Sequence, residues 1–152
     1  MRITPESIRI PTIAVAAPVA ALGFDEAEQT VEVPSEPAHT GWYRYGSAPG
    51  EDGSAVILGH KDSESGPAVF ARLHELRRGA EVLVTMSDRS VVNYRVDKVA
   101  TYPNAQLPAQ AVYGGVGPST LNLVTCGGVY DASDGYQANV VVFTSRATPS
   151  TD

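Results

Sequence analysis

The stretch Leu121-Asn122-Leu123-Val124-Thr125-Cys126-Gly127-Gly128 decides how this chain is read. An apolar run with the composition of a strand ends in the only cysteine of the sequence and breaks at once into two glycines. Glycines let backbone or substrate approach closely, so a thiol at this point is placed for chemistry more than for packing. A solitary cysteine is commonly a small buried hydrophobe, and a nucleophilic one needs a partner that activates it. The candidate partner is His60, which closes a matching segment, Ala55-Val56-Ile57-Leu58-Gly59-His60, before the polar Lys61-Asp62-Ser63-Glu64-Ser65. Both residues stand where apolar sequence turns polar, the place where a strand leaves its sheet.

Outward from these two segments the chain reads as mostly β. Ile8 and Ile10, then Ile13 and Val15, alternate around Pro11, which predicts an opening strand bent or held at an edge by the proline. Thr30-Val31-Glu32-Val33 is a short strand, and residues 55–58 form a fully buried one. Residues 81–85 and 91–96 flank the turn-like Ser87-Asp88-Arg89-Ser90 and predict a hairpin. Residues 121–126 and 138–144 flank a polar loop over 127–135 and predict a second. Six or more strands with few helical stretches point to a closed or nearly closed barrel. One helix is predicted over 67–76: Pro67 suits a first helical position, Val69, Phe70, Leu73 and Leu76 recur at helical spacing, and Gly79 follows as a stop. Phe70 and Leu73 are read as core, while His74 and His39 are read as solvated or local polar groups.

Composition sets outer limits. At 152 residues the chain reads as a single domain spanning 1–152 and is long enough to bury roughly two-thirds of its unfolded surface. One cysteine excludes an intramolecular disulfide. A net charge of −6, with no basic cluster denser than Arg77-Arg78, argues against nucleic acid as a partner. The sequence has no Cys-x-x-Cys or His-x-x-x-His pattern, so no metal is expected, and no cofactor is called for. The apolar region from 8 to 22 is interrupted by Pro11 and Pro18 and cannot serve as a bilayer span.

At the two chemistry-bearing segments the sequence resembles the sortases, cysteine transpeptidases of Gram-positive cell surfaces. Thr120-Leu121-Asn122-Leu123-Val124-Thr125-Cys126 is similar to the family's signature around its cysteine, and residues 41–60 (GWYRYGSAPGEDGSAVILGH) are similar to its histidine region. The likeness continues through Pro67-Ala68-Val69-Phe70-Ala71-Arg72-Leu73 and from Tyr136 to Phe143. The Gly-Gly after the cysteine and Asn139-Val140-Val141-Val142 look most like the actinobacterial class F branch, with class E as near neighbour. The resemblance implies a closed β-barrel with one or two short helices, Cys126 as nucleophile with His60 beside it, and Thr125 as a neighbouring substrate contact. It further implies a thioacyl enzyme formed on an LPxTG-like sorting peptide cut after its threonine, and transfer to an amine of a peptidoglycan precursor. A monomer is expected, working at the extracellular face of the plasma membrane on an N-terminal anchor upstream of Met1.

One position departs from the family's pattern. Sortases carry an arginine near the start of the last strand, and alignment on Tyr136 and Asn139-Val140-Val141-Val142 puts Gln137 there. Glutamine donates hydrogen bonds but brings no charge. The substitution is natural or introduced, or the charge comes from Arg72 or Arg44, which lie in family-like segments. Arg146, about 30 Å along the same strand, is a poor substitute. Three rival readings follow. A catalytically weak or inactive sortase homologue would account for Gln137. A non-catalytic wall-binding β-barrel leaves the Cys-Gly-Gly and its histidine unexplained. A papain-type or cell-wall peptidase would place its cysteine before its histidine, the reverse of the order here.

Overall fold

A computed structural model of the protein describes residues 2–27, 30–31, 34, 36, 38–63, 66–103, 112, 117–131 and 135–147. In chain order its strands are β1 (Pro5–Ile10), β2 (Val15–Leu22), β3 (Phe24–Asp25), β4 (Thr30–Val31), β5 (Thr40–Tyr43) and β6 (Ser54–Gly59), then β7 (Asp62–Ser63), β8 (Gly66–Pro67), β9 (Glu81–Met86), β10 (Val91–Pro103), β11 (Thr120–Asp131) and β12 (Gly135–Arg146). Eight of them close into a barrel in the order β1-β2-β5-β6-β11-β12-β10-β9. Closure gives each of the eight wall strands a neighbour on both sides.

Alternation along the strands sorts side chains into two clusters. Ile8, Ile10, Ile57, Val82, Val84, Tyr94, Leu121, Leu123 and Val142 point into the barrel and are sealed from solvent. On the opposite parity, Val56, Val124 and Val141 form an outer cluster with Val112, joined by Tyr43, Leu58, Tyr102 and Phe143. Asn122 shares this outer parity. It is 2% exposed, and its Nδ2 donates to the Val112 carbonyl at 2.8 Å, holding Val112 against the wall. Inside, the buried Tyr94 hydroxyl accepts from the Gly50 N–H at 2.9 Å and lies 2.9 Å from Ser119 Oγ.

The barrel, the buried β6 and the β9–β10 hairpin match the sequence reading; in that hairpin the Met86 N–H donates to Ser90 O at 2.8 Å. Three details differ. The predicted bent opening strand is two strands, β1 and β2, paired antiparallel around a 3-10 turn at Pro11–Ile13 and a left-handed Ala14 (φ 55°). Pro11 therefore makes the corner rather than an edge. The predicted helix over 67–76 is replaced by β8, turns and a 3-10 turn at Leu73–Glu75. Ten residues are marginal for a helix without tertiary support, and here the apolar ones are drawn singly into the barrel end: Phe70 and Leu73 are fully buried and Leu76 is 5% exposed. The loop predicted over 127–135 is also shorter, because β11 and β12 continue past Cys126 with a register shift between Gly127 and Tyr130. Residues 132–134 lie outside the described residues, as do Glu32 and Val33 of the short strand read at 30–33.

The N-terminal segment is tied down by Arg2. Its guanidinium donates to the carbonyls of Arg44 (3.0 Å) and Gly46 (2.8 Å) and to Glu51 Oε1 (3.1 Å), and it lies 5.0 Å over the Trp42 ring. The Arg2 hydrogen bond, followed by one from the Ala48 N–H, holds the Glu51 carboxyl below its usual value. A carboxylate whose folded-state value is depressed adds stability above its unfolded-state value and loses it as pH falls through the folded one. Both side chains are nearly half exposed, 43% and 49%, so screening keeps the contribution small. Glu51→Gln is expected to lower stability by less than about 1 kcal/mol at neutral pH, with the difference shrinking in urea titrations as pH falls below the ordinary glutamate value of about 4.3.

Candidate active site

β6 and β11 are neighbours in the barrel and run parallel, in register from Ser54↔Thr120 to Gly59↔Thr125. The next residue on each strand is His60 and Cys126. Parallel neighbours lie about 4.8 Å apart, so the backbones of the candidate base and nucleophile stand side by side where this ladder stops. His60 is the first residue after β6, where the strand stops; Cys126 sits inside β11, which continues to Asp131. The expectation that both close their strands is met for one and corrected for the other. Thr125 is 2% exposed and paired to Gly59 on one side and Val140 on the other, locked in the wall directly before the cysteine.

The other neighbour of β11 is β12. Cys126 is the partner of Asn139, and Gly127 that of Ala138, so Gln137 lies one step further on, at the register shift. A diagonal pair of this kind is about 7–8 Å apart in a regular sheet. Cys126 and Gln137 thus lie on adjacent strands, β11 and β12, and His60 directly follows β6, the neighbour of β11 on its other side.

Neither arginine candidate is uncommitted. Arg72 is exposed and donates through Nε and Nη2 to Glu75 Oε1 at 3.2 and 3.1 Å; that hydrogen-bonded guanidinium holds the Glu75 carboxyl below its usual range. Arg44 donates to the Tyr45 hydroxyl at 2.9 Å and stacks 4.9 Å over its ring. His74 and His39 are exposed, as read from sequence.

His60 is held at its main chain and at its ring. Its carbonyl accepts from the Phe70 N–H at 3.0 Å, as the chain returns through the β7–β8 pairing. Lys61 O accepts from the Ala68 N–H at 2.9 Å in the same return. A Cβ on Gly59 would stand 2.6 Å from the Phe70 ring, so the glycine before the histidine exists to let that ring close the barrel end. The imidazole itself is half-buried, with Nε2 2.7 Å from the Pro34 carbonyl oxygen. Sequence reading assigned Phe70 to the core and Gly59 to no role. The usable signal was the pairing of a glycine beside the histidine with a large aromatic ten residues on. A backbone acceptor such as Pro34 O leaves no signal in residue type.

Comparison with known proteins adds the family. A model of the sortase domain matches residues 8–147. The chain belongs to the sortase family. Among solved structures it is similar to a lid mutant of sortase A from Corynebacterium diphtheriae, with 19% identity over 97% of this chain and 72% of that one and a TM-score of 0.75. It is also similar to sortase C-1 from Actinomyces oris, with 18% identity over 94% and 71% and a TM-score of 0.71. Sortase C1 of the group B Streptococcus pilus island 1 shares 20% identity over 97% and 66%, with a TM-score of 0.70. At these identities the sortase likeness is one of fold, and it does not distinguish class F or E from the A and C proteins matched. Comparison with curated proteins gives no significant match. Among the described residues no group of three His, Cys, Asp or Glu is placed to hold a metal ion, and no helix is long and apolar enough to cross a membrane.

Proposed function

We propose that this sortase is a cysteine transpeptidase with Cys126 as nucleophile, His60 as the proton-transferring group and Gln137 at the oxyanion position. The observation that carries the reading is the parallel ladder ending at Gly59↔Thr125, after which the next residues are His60 and Cys126. A free thiol is largely protonated near neutrality, and a neighbouring imidazolium stabilises the thiolate. The thiolate attacks the carbonyl carbon of the threonine in an LPxTG-like sorting peptide and forms a tetrahedral oxyanion. Its collapse breaks the C–N bond; His60 gives its proton to the departing amine, and a thioester remains on Cys126. An amine of a peptidoglycan precursor then attacks the thioester, loses a proton to His60 and releases the thiolate with a new amide formed. Thr125 contributes by rigidity, since a fully walled residue next to the nucleophile fixes its backbone. The native site of action is the outer face of the membrane, and the working unit is a monomer.

The test is intact-mass measurement of the protein incubated with an LPxTG-type peptide, with and without an added amine. An acyl adduct on Cys126 that disappears into an amide product when amine is present supports the proposal; the absence of any adduct, with the thiol inert to alkylating reagents at neutral pH, refutes it.

Gln137 gives a graded prediction. An arginine there offers a charged, forked donor to the developing oxyanion where glutamine offers only a dipole. Gln137→Arg is expected to raise turnover of the sorting peptide by about ten-fold or more. If turnover does not rise and Arg72→Ala or Arg44→Ala abolishes it, the charge comes from another element.

A further inference from the structure

The hydrogen bond between His60 Nε2 and the Pro34 carbonyl has a chemical direction. A carbonyl oxygen only accepts, so at 2.7 Å the proton must sit on Nε2. In a neutral imidazole with Nε2 protonated, Nδ1 is the basic nitrogen. We propose that Pro34 is a positioning residue: its carbonyl fixes the His60 ring and tautomer and assigns the exchange of protons with the Cys126 thiol and the leaving amine to Nδ1. This rests on His60 being the proton-transferring group.

The geometry supports a purpose-built hold. Pro34 is buried, although it lies in the connection between β2 and β5, outside the barrel wall and 26 residues from the histidine it touches. Both ends of that connection are anchored. Phe24–Asp25 pairs with Thr30–Val31 near its start, the His39 N–H donates to Glu36 O at 3.1 Å, and the Thr40 hydroxyl donates to Pro18 O at 2.9 Å at its close. Proline at 34 restricts the φ of the very residue whose carbonyl is used, which lowers the entropy lost in aiming it. With the Phe70 N–H on the backbone side, the histidine is fixed at both its main chain and its ring. When His60 takes a proton the Nε2–H bond becomes charge-assisted and strengthens, so the carbonyl favours the imidazolium of the reaction more than the resting imidazole. It does so without adding a carboxylate beside the thiol.

The test uses the full chain made by ligation with the amide between Pro34 and Ser35 replaced by an ester, which weakens the Pro34 carbonyl as an acceptor and changes no side chain to the size of a new one. In the unaltered protein, nitrogen-15 spectra above the histidine titration are expected to show the proton on Nε2 of His60, exchanging with water much more slowly than the ring protons of the exposed His39 and His74. In the ester form that exchange is expected to accelerate at least ten-fold, with kcat for sorting-peptide cleavage falling about ten-fold and KM unchanged. Thermal melting within a degree or two of the parent protein separates positioning from a general loss of fold. A proton found on Nδ1, ring exchange as fast as in His39 and His74, or an unchanged kcat once the bond is weakened would each overturn the proposal. The spectroscopic arm is readable even if no acyl transfer occurs, so failure of the Cys126–His60 assignment and failure of the Pro34 hold give different results.

Discussion

Cys126→Ala is expected to leave a folded barrel with no acyl transfer. The chain has one cysteine, so no second thiol can substitute, and loss of a covalent nucleophile removes the thioester path rather than slowing it. Peptide cleavage should fall by at least about a thousand-fold, to background, and the intact mass should show no adduct at any peptide concentration. Because Cys126 is centred on a continuous strand paired with Asn139, the substitution should leave the circular dichroism spectrum unchanged. Residual transfer by the alanine protein would mean that the nucleophile is not a thiol at all.

Phe70→Ala is expected to give the largest loss of stability. The ring is fully buried, packs beneath Gly59 and joins Leu73 and Leu76 in closing the barrel end. Emptying such a site costs about 3–5 kcal/mol, a large share of the stability of a domain this size. Urea denaturation should show the midpoint falling with little change in slope. Activity should fall further than the unfolded fraction explains, because the N–H of residue 70 carries the His60 carbonyl. Phe70→Leu, which refills part of the space, should recover most of both. If activity tracks the folded fraction alone, the ring supports the barrel and not the histidine.

Much of the barrel was legible because its strands obey local rules. Residues 81–86 and 91–96 alternate buried and exposed around a polar turn, and residues 55–57 are apolar throughout because one parity faces the barrel while the other faces the outer cluster. The stretch 67–76 was misread for the opposite reason: Phe70, Leu73 and Leu76 have helical spacing, but tertiary demand at the barrel end places each one, and the backbone follows with a single 3-10 turn. In the site, His60 and Cys126 were visible as residue types at a change of polarity. Their adjacency came only from the family resemblance, since parallel pairing of β6 with β11 is a long-range choice that neither segment encodes alone. The continuation of β11 beyond Gly127 was hidden because two glycines mark a bulge as readily as a strand end.

The parallel ladder also has a meaning in time. Ser54 and Thr120, the first couple of that ladder, are 66 residues apart in the chain and joined by a side-chain hydrogen bond of 3.0 Å. Contacts of such separation form late, after the loop entropy between them has been overcome, and they cannot form at all until the segment through β11 has emerged. A nascent chain therefore holds an ordinary, unassisted thiol. On the proposed mechanism its histidine and cysteine come together only when the last wall strands dock, so barrel closure itself would be the event that switches reactivity on.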